Sequence, residues 1–301
     1  MATICLVLGE SGTGKSASMR NFTVEEMALV NVAKKPLPFR GKFEEIKSSD
    51  FDEIKSFMEK TSKKVIVIDD AQYIMAFQYM RRIKENGWDK YNDIQSDFFN
   101  VIEVAKQLPE EKIVFFLSHI ETKEDGRQKI KTIGKMLDEK ITVEGMFTVV
   151  LKTLVSDGKY YFATQNSGMD TVKSPIGMFP SSVIDNDLKY VTEKIRNYYY
   201  MDGAISDEAM NKADEAVKTD INPDEKPRKR KRRTEIMTVP VDDGKGVIVD
   251  RVPVVEEKKK EIPPEGDWTV NGEFVKAPEK PVRRRKRRTE TDEVAPEEIP
   301  F

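Results

Sequence analysis

The octapeptide Gly9-Glu10-Ser11-Gly12-Thr13-Gly14-Lys15-Ser16 constrains this chain more than any other stretch. It has the form of a phosphate-binding loop, with glycines bracketing a four-residue insert and Lys-Ser closing it. Ile4-Cys5-Leu6-Val7-Leu8 precedes it and reads as a buried parallel strand ending at Gly9. Ser16 to Val30 holds no Pro or Gly, which predicts a helix beginning at the loop. In a strand–loop–helix unit, glycines let backbone N–H groups turn inward around phosphates. The helix N-terminus adds partial positive charge. Lys15 is then expected to reach the β- and γ-phosphates, and Ser16 to hold Mg²⁺. The implied ligand is a nucleoside triphosphate, with ATP and Mg²⁺ as cofactors. The alternative is a chance glycine turn.

A second signature follows at Val65-Ile66-Val67-Ile68-Asp69-Asp70. Four β-branched residues predict a buried strand that aims its terminal carboxylate at the metal, which makes Asp69 the expected Mg²⁺ ligand. Asp70 stands where an acid can orient attacking water, or it caps the next helix. Ile113 to His119 reads as a third buried strand, ending on the only histidine of the chain. A polar residue at that tip can contact the γ-phosphate or its water, and His119 is the candidate. A structural role is the competing reading.

Between these strands, Asp50 or Ser49 is placed to cap a helix from Phe51 to about Lys60, with Phe51, Ile54, Phe57 and Met58 at helical spacing. Lys34 to Phe39 reads as an extended connector, because its prolines exclude helix. Ala71 to Lys84 and Asp93 to Leu108 read as helices. Glu121 to Lys131 reads as a polar loop carrying Arg127, Lys129 and Lys131. A short helix is expected over Ile133–Lys140. Phe147 to Val155 and Tyr160 to Gln165 form a hairpin around Asp157-Gly158, and Leu188 to Tyr200 a last amphipathic helix. Strands separated by helices with a closing hairpin predict an α/β fold: a mostly parallel sheet flanked by helices, with an antiparallel edge.

Composition sets the remaining bounds. The single cysteine, Cys5, excludes an intramolecular disulfide and sits inside a strand, where it is expected to act as a small buried hydrophobe. No apolar run approaches the ~18 residues of a membrane span, and the first run lacks the basic flank of a signal peptide. A soluble cytoplasmic protein with no membrane partner is expected. Charges total 51 Lys+Arg against 53 Asp+Glu, a near balance that hides local segregation. From about residue 206, Pro, Glu, Lys and Arg dominate, predicting a core over 1–205 and a disordered tail over 206–301. The tail carries two similarly bracketed runs of six cations. One is Arg228-Lys229-Arg230-Lys231-Arg232-Arg233 and the other is Arg283-Arg284-Arg285-Lys286-Arg287-Arg288. They read as phosphate-binding segments for DNA, as import signals, or as a solvated charge run. Thr238 to Val255 is a weak hairpin candidate. Asn211-Lys212-Ala213-Asp214 matches a guanine-reading motif by letter but follows no strand, which argues against GTP specificity.

Residues 1 to about 200 resemble the phage-encoded nucleotide-binding ATPases that reduce the RecA fold to its core. Members of that group act in single-strand annealing and recombination. The matching stretches are Gly9–Ser16, Val65–Asp70, Gly87-Trp88-Asp89-Lys90 and Phe116–Glu121. Lys173-Ser174-Pro175 and Asn186-Asp187-Leu188 through Tyr198-Tyr199 also match. The resemblance implies a RecA-like ATPase whose partner is single-stranded DNA. It puts Arg127, Lys129 and Lys131 in the place of the RecA-type DNA-binding loop. On the same grounds Lys173 could reach the ATP of a neighbouring subunit in a homo-oligomer. The chain starts directly at its first strand, without the polymerisation segment of RecA proper, so filament formation is not implied. No glutamate is clearly placed as the RecA-type catalytic acid. The acidic end closing on Ile299-Pro300-Phe301 resembles the tip of bacterial single-stranded-DNA-binding proteins. That implies a hook for the host proteins that bind such tips. A different class stays open: an ATPase-fold switch or adaptor that recruits partners through its tail.

Overall fold

Runs of apolar residues with no alternation require a sheet covered on both faces, and this requirement organises the ordered chain. The computed structural model describes residues 1–134, 137 and 140–217, with the backbone of 267–270 and 273–276. β1 (Thr3–Gly9) leads through the glycine loop to a 3₁₀ turn at Ser16–Met19 and then to β2 (Met27–Asn31). β3 (Glu44–Ile46), α1 (Phe51–Lys60) and β4 (Val65–Asp69) follow. Next come α2 (Tyr73–Arg81), α3 (Asp89–Gln107), β5 (Ile113–Thr122) and β6 (Gln128–Ile130). β7 (Val149–Ser156), β8 (Lys159–Ala163), β9 (Val183–Asp185), α4 (Leu188–Tyr198) and α5 (Asp207–Val217) complete this part.

The strands lie in the order β3-β2-β4-β5-β1-β7-β8-β9, with β6 paired to the far end of β5. The first six are mutually parallel, and β8 and β9 form an antiparallel edge. Successive residues of β1 feed opposite cores. Ile4, Leu6 and Leu8 pack with residues of α1–α3, among them Ile54, Met75 and Phe98. Cys5 and Val7 pack with Leu188, Val191 and Met210 of α4 and α5. Cys5 is fully buried, and burial pushes its thiol far up, so it is an inert core residue as expected.

The fold is therefore α/β, with a mostly parallel sheet between helices. Asp50 caps α1, its side chain accepting from the backbone N–H of Asp52 and Glu53, a cap worth about 1 kcal/mol. The β7–β8 hairpin turns at Asp157 and Gly158, both with positive φ.

Several expectations are corrected. No helix spans Ser16–Val30. The phosphate loop runs into the short 3₁₀ turn, and Met27–Asn31 is instead a strand between β3 and β4 with every residue buried. Pairing on both edges and burial on both faces outweigh local helix propensity there. The Glu121–Lys131 loop is a β extension, with Ile120↔Ile130, Glu121↔Lys129 and Thr122↔Gln128 in register. α3 begins at Asp89 rather than Asp93. Order also runs past residue 205. Met210 of α5 is buried in the core, and Asp214 accepts from the Tyr190 hydroxyl (2.7 Å) and pairs with Lys194. The Asn211–Asp214 stretch thus belongs to a helix, with Asp214 committed to α4 and no base-reading role.

The helix expected over Ile133–Lys140 lies partly outside the described residues. Both cationic runs, the Thr238–Val255 candidate and the Ile299–Phe301 tip lie wholly outside them. The chain divides into Met1–Arg230 and Lys231–Phe301. In the second unit, β10 (Asp267–Val270) and β11 (Glu273–Lys276) form an antiparallel hairpin. Asn271-Gly272 between them is a strong hairpin signal in the sequence. No described helix is long and apolar enough to cross a membrane.

Truncation after Ile205 is expected to lower the melting temperature, because it exposes the Met210 site and unpairs Lys194. Losing burial of Met210 alone costs about 2 kcal/mol, or about 4–8 °C for a core of this size. Truncation after Val217 is the control, since it keeps Met210 and Asp214 in place. Thermal unfolding of the two truncations against the full chain checks this.

Candidate functional site

Glycine at position 9 is dictated by a neighbour. A Cβ there would lie 1.9 Å from Thr153 Oγ1 on β7 and 2.7 Å from Thr13 Oγ1. Thr13 Oγ1 bonds to Thr153 Oγ1 (2.5 Å) and donates to the Glu10 carbonyl (2.8 Å), which fixes the loop against β7. Gly12 and Gly14 have φ of +78° and +100°, in the left-handed region that favours glycine. A Cβ on Gly14 would also meet the Tyr160 ring at 2.9 Å. The loop is thus held from above by the β7–β8 hairpin.

The loop and the tips of β4 and β5 enclose a cleft of about 280 Å³, lined by Ser11, Gly12, Gly14, Lys15, Ser16, Ala17, Lys35, Pro36, Pro38, Asp70, His119 and Tyr160. It lies at the carboxyl ends of parallel strands, where open α/β sheets bind ligands. A larger, shallower depression of about 700 Å³ between β3 and α1 holds only Lys60 opposite Glu44, Asp52 and Glu53. It gathers no comparable chemistry.

Within the cleft, Ser16 Oγ lies 2.9 Å from both carboxylate oxygens of Asp69. Lys15 folds back, with Nζ donating to the carbonyls of Gly9 (3.1 Å) and Glu10 (2.9 Å). Burial lowers its ammonium below the ordinary lysine value, and Asp70 and Asp69 oppose that only in part. Asp69 is buried, and burial followed by the charge of Asp70 pushes its carboxyl up to about 6 despite the Ser16 hydrogen bonds.

Asp70 behaves oppositely. Burial would raise it, but His119 and Lys35 together hold it down at about 2. Lys35 Nζ pairs with Asp70 Oδ2, and His119 Nε2 stands 3.3 Å from Oδ1, in ion-pair range but not aligned as a hydrogen bond. Asp70 is also a non-glycine residue with φ of +57°, a costly conformation of the kind found at functional sites. The Asp70 carboxylate therefore faces the cleft partners, and the α2 cap position is taken by Gln72, which makes no side-chain cap.

Gln72 ties the two strand tips. Its Oε1 accepts from the Ser118 hydroxyl (3.0 Å) and from the His119 N–H (3.1 Å). Gly9 is level with His119 in the β1–β5 register, and the His119 carbonyl accepts from Lys131 N–H (2.9 Å) at the foot of the β5–β6 hairpin. His119 thus adjoins both the cleft and the hairpin.

The remaining expected residues are dispersed. Lys129 pairs with Glu121 (3.0 Å), while Arg127 and Lys131 are exposed. Lys173 does not line the cleft. Its backbone N–H and carbonyl bridge Val150 on β7. Lys35, Tyr160, Thr153 and Gln72 were not singled out from sequence. Of these, only Lys35 carried a usable signal, a cation in the Lys34-Lys35-Pro36 connector after a strand.

Among the described residues no cluster of three or more His, Cys, Asp or Glu is arranged to hold a metal. Ser16 and Asp69 alone fit the two protein ligands of a magnesium ion that takes its other ligands from phosphate and water. No protein-family model matches this chain, and no curated protein matches it significantly.

Gly9→Ala is expected to displace the loop and cost about 1–3 kcal/mol or more, since the new methyl overlaps Thr153. Thr153→Ala in the same chain should recover part of the loss. Denaturant unfolding of the single and double variants decides this, and a Gly9→Ala chain as stable as the parent would contradict the close approach.

Proposed function

We propose that this chain is a RecA-like phosphate-loop ATPase that binds ATP with Mg²⁺ in the cleft and acts on single-stranded DNA. The observation that carries the reading is the double contact of Ser16 with Asp69, the closing residue of the glycine loop meeting the carboxylate at the end of β4. Strand order supports it. β5 lies between β1 and β4, so His119, level with Gly9 in the β1–β5 register, stands between the loop and the acids.

On this reading Gly9–Gly14 present backbone N–H groups to the phosphates, and Lys15 leaves the Gly9 and Glu10 carbonyls to meet the β- and γ-oxygens. Ser16 and Asp69 hold magnesium, which neutralises phosphate charge when bound. A proton on Asp69, favoured up to about pH 6, would have to leave first. Asp70 and His119 stand where attacking water is oriented. Arg127 and Lys131 on the hairpin and the two cationic runs supply phosphate contacts for a single strand.

The second reading, a slow switch or adaptor, draws on Asp70 itself. A carboxylate held at about 2 and bonded to Lys35 is a weak general base. Hydrolysis rates with and without single-stranded DNA distinguish the two: DNA stimulation supports the first reading, and a slow rate indifferent to DNA supports the second.

Lys15→Ala and Asp69→Asn are each expected to lower hydrolysis by about 10²–10³-fold while leaving the fold intact. His119→Ala should keep ATP binding and lose the DNA response. Parent-level hydrolysis by Lys15→Ala would refute the site. For the tail, deleting Arg283–Arg288 should flatten the log–log salt dependence of single-strand binding by about 4, from about 0.7 per phosphate contact. An unmoved slope removes that run from the DNA interface.

A further inference from the structure

Lys35 belongs to no part of the phosphate loop, yet it is the second of the two lysines lining the cleft. We propose that it is a second phosphate-binding cation, supplied within the same chain by the segment after β2 and selective for the terminal phosphate of a nucleoside triphosphate. The proposal rests on the ATP-binding reading above and adds to it the residue that tells triphosphate from diphosphate.

The backbone at Lys35 is built to present this side chain. Asn31, buried at the end of β2, clamps it in both directions: Nδ2 donates to the Lys35 carbonyl (2.7 Å), and Oδ1 accepts from the Lys35 N–H (3.2 Å). The same Nδ2 donates to Glu45 Oε1 (2.7 Å), which holds the amide in place. Lys34 turns the chain with φ of +57°, and Pro36 and Pro38 stiffen the segment beyond. A buried amide, a left-handed residue and two prolines are more than a surface lysine needs.

Topology sets the direction of approach. In the order β2-β4-β5-β1, Lys15 enters the cleft from the β1 side and Lys35 from the β2 side, with the Asp69–Asp70 tip between them. The Lys35 side chain is 47% exposed, while that of Asp70 is 1% exposed, so the ammonium caps the acid and stays open to an incoming anion. A terminal phosphate would compete with Asp70 for it. Moving Lys35 would leave His119 Nε2, 3.3 Å from Oδ1 and not aligned as a hydrogen bond, as the nearest remaining partner of the carboxylate. Such an exchange ties two events together: Lys35 binds the phosphate, and Asp70 is freed toward water. ADP, which lacks the outermost phosphate, would leave the Lys35–Asp70 pair in place. If Lys35 were only a counter-ion for Asp70, its loss would weaken folding without distinguishing the two nucleotides.

Calorimetric titration of the full chain with Mg²⁺ and either ADP or the β,γ-imido analogue of ATP separates these outcomes. Lys35→Ala should weaken the triphosphate analogue by about 10–100-fold, the range for a lost hydrogen bond to a charged group. ADP affinity should stay within about twofold, since that nucleotide makes no call on Lys35. Lys35→Arg should restore most of the analogue binding. If Lys35→Ala folds poorly, Lys35→Ala/Asp70→Asn removes both charges and should show the same selective loss. Equal losses for both nucleotides, or none, overturn the proposal while the ATP-binding reading stands. A parent chain that binds neither nucleotide overturns both.

Discussion

A parallel sheet covered on both faces leaves its functional groups one place to go. β1, β4 and the inner part of β5 are buried residue by residue, so each polar side chain in them would need a partner in the core. The inner strand residues stay apolar, and the chemistry begins where this apolar stretch stops: Gly9 at the end of β1, Asp69 at the end of β4 with Asp70 just after it, and Ser118 and His119 on β5. The parallel register brings those ends level. The cleft follows from the sheet, and the loops refine it.

The charges at that edge are divided rather than pooled. Two adjacent carboxylates in a low-dielectric setting cannot both ionise without help. Asp70 receives the help, from Lys35 and His119, and Asp69 receives only the Ser16 hydroxyl and the more distant lysines. One acid is thereby fixed as an anion, and the other is left wanting a cation. A magnesium ion held by Ser16 and Asp69 would satisfy that want, which would give the two neighbouring acids different physical roles.

The parts of the structure legible in the sequence were those fixed by short-range chemistry. Val65–Asp69 and Ile113–Ser118 could only be buried strands, although β5 does not end at His119 but runs on, less buried, to Thr122 where it pairs with β6. Asp50 is a good cap at α1, and Asp157-Gly158 forces a hairpin. The Ser16–Asp69 meeting was legible as two motifs, though their distance was not. Met27–Asn31 is ambiguous in sequence because its apolar run fits helix and strand equally and only its neighbours β3 and β4 decide between them. α5 was hidden by a polar, acidic surface, with Met210 as its one fully buried apolar anchor. The contacts of Tyr160 with Gly14 and of Thr153 with Gly9 join residues more than 140 positions apart, and nothing local announces them.

Short elements around the cleft make its parts interdependent. Without a long helix after the loop, the favourable field of a helix N-terminus is reduced to a single 3₁₀ turn. An anion bound there would lean more on backbone N–H groups and on lysines. The loop is correspondingly braced by Thr153 and Tyr160 from the β7–β8 hairpin, and its far wall is braced by Asn31. The β5–β6 hairpin reaches the same place through one residue, because the His119 carbonyl is bonded to Lys131 while its ring faces Asp70. Tyr73 packs edge-on against that ring, and Gln72 holds its N–H. A shift of the hairpin base would therefore move the histidine against a fixed acid, and a change at Asp70 would be felt at the hairpin. Coupling between two sites needs an element that both can bias, and His119 on β5 is a residue that touches both the cleft and the hairpin.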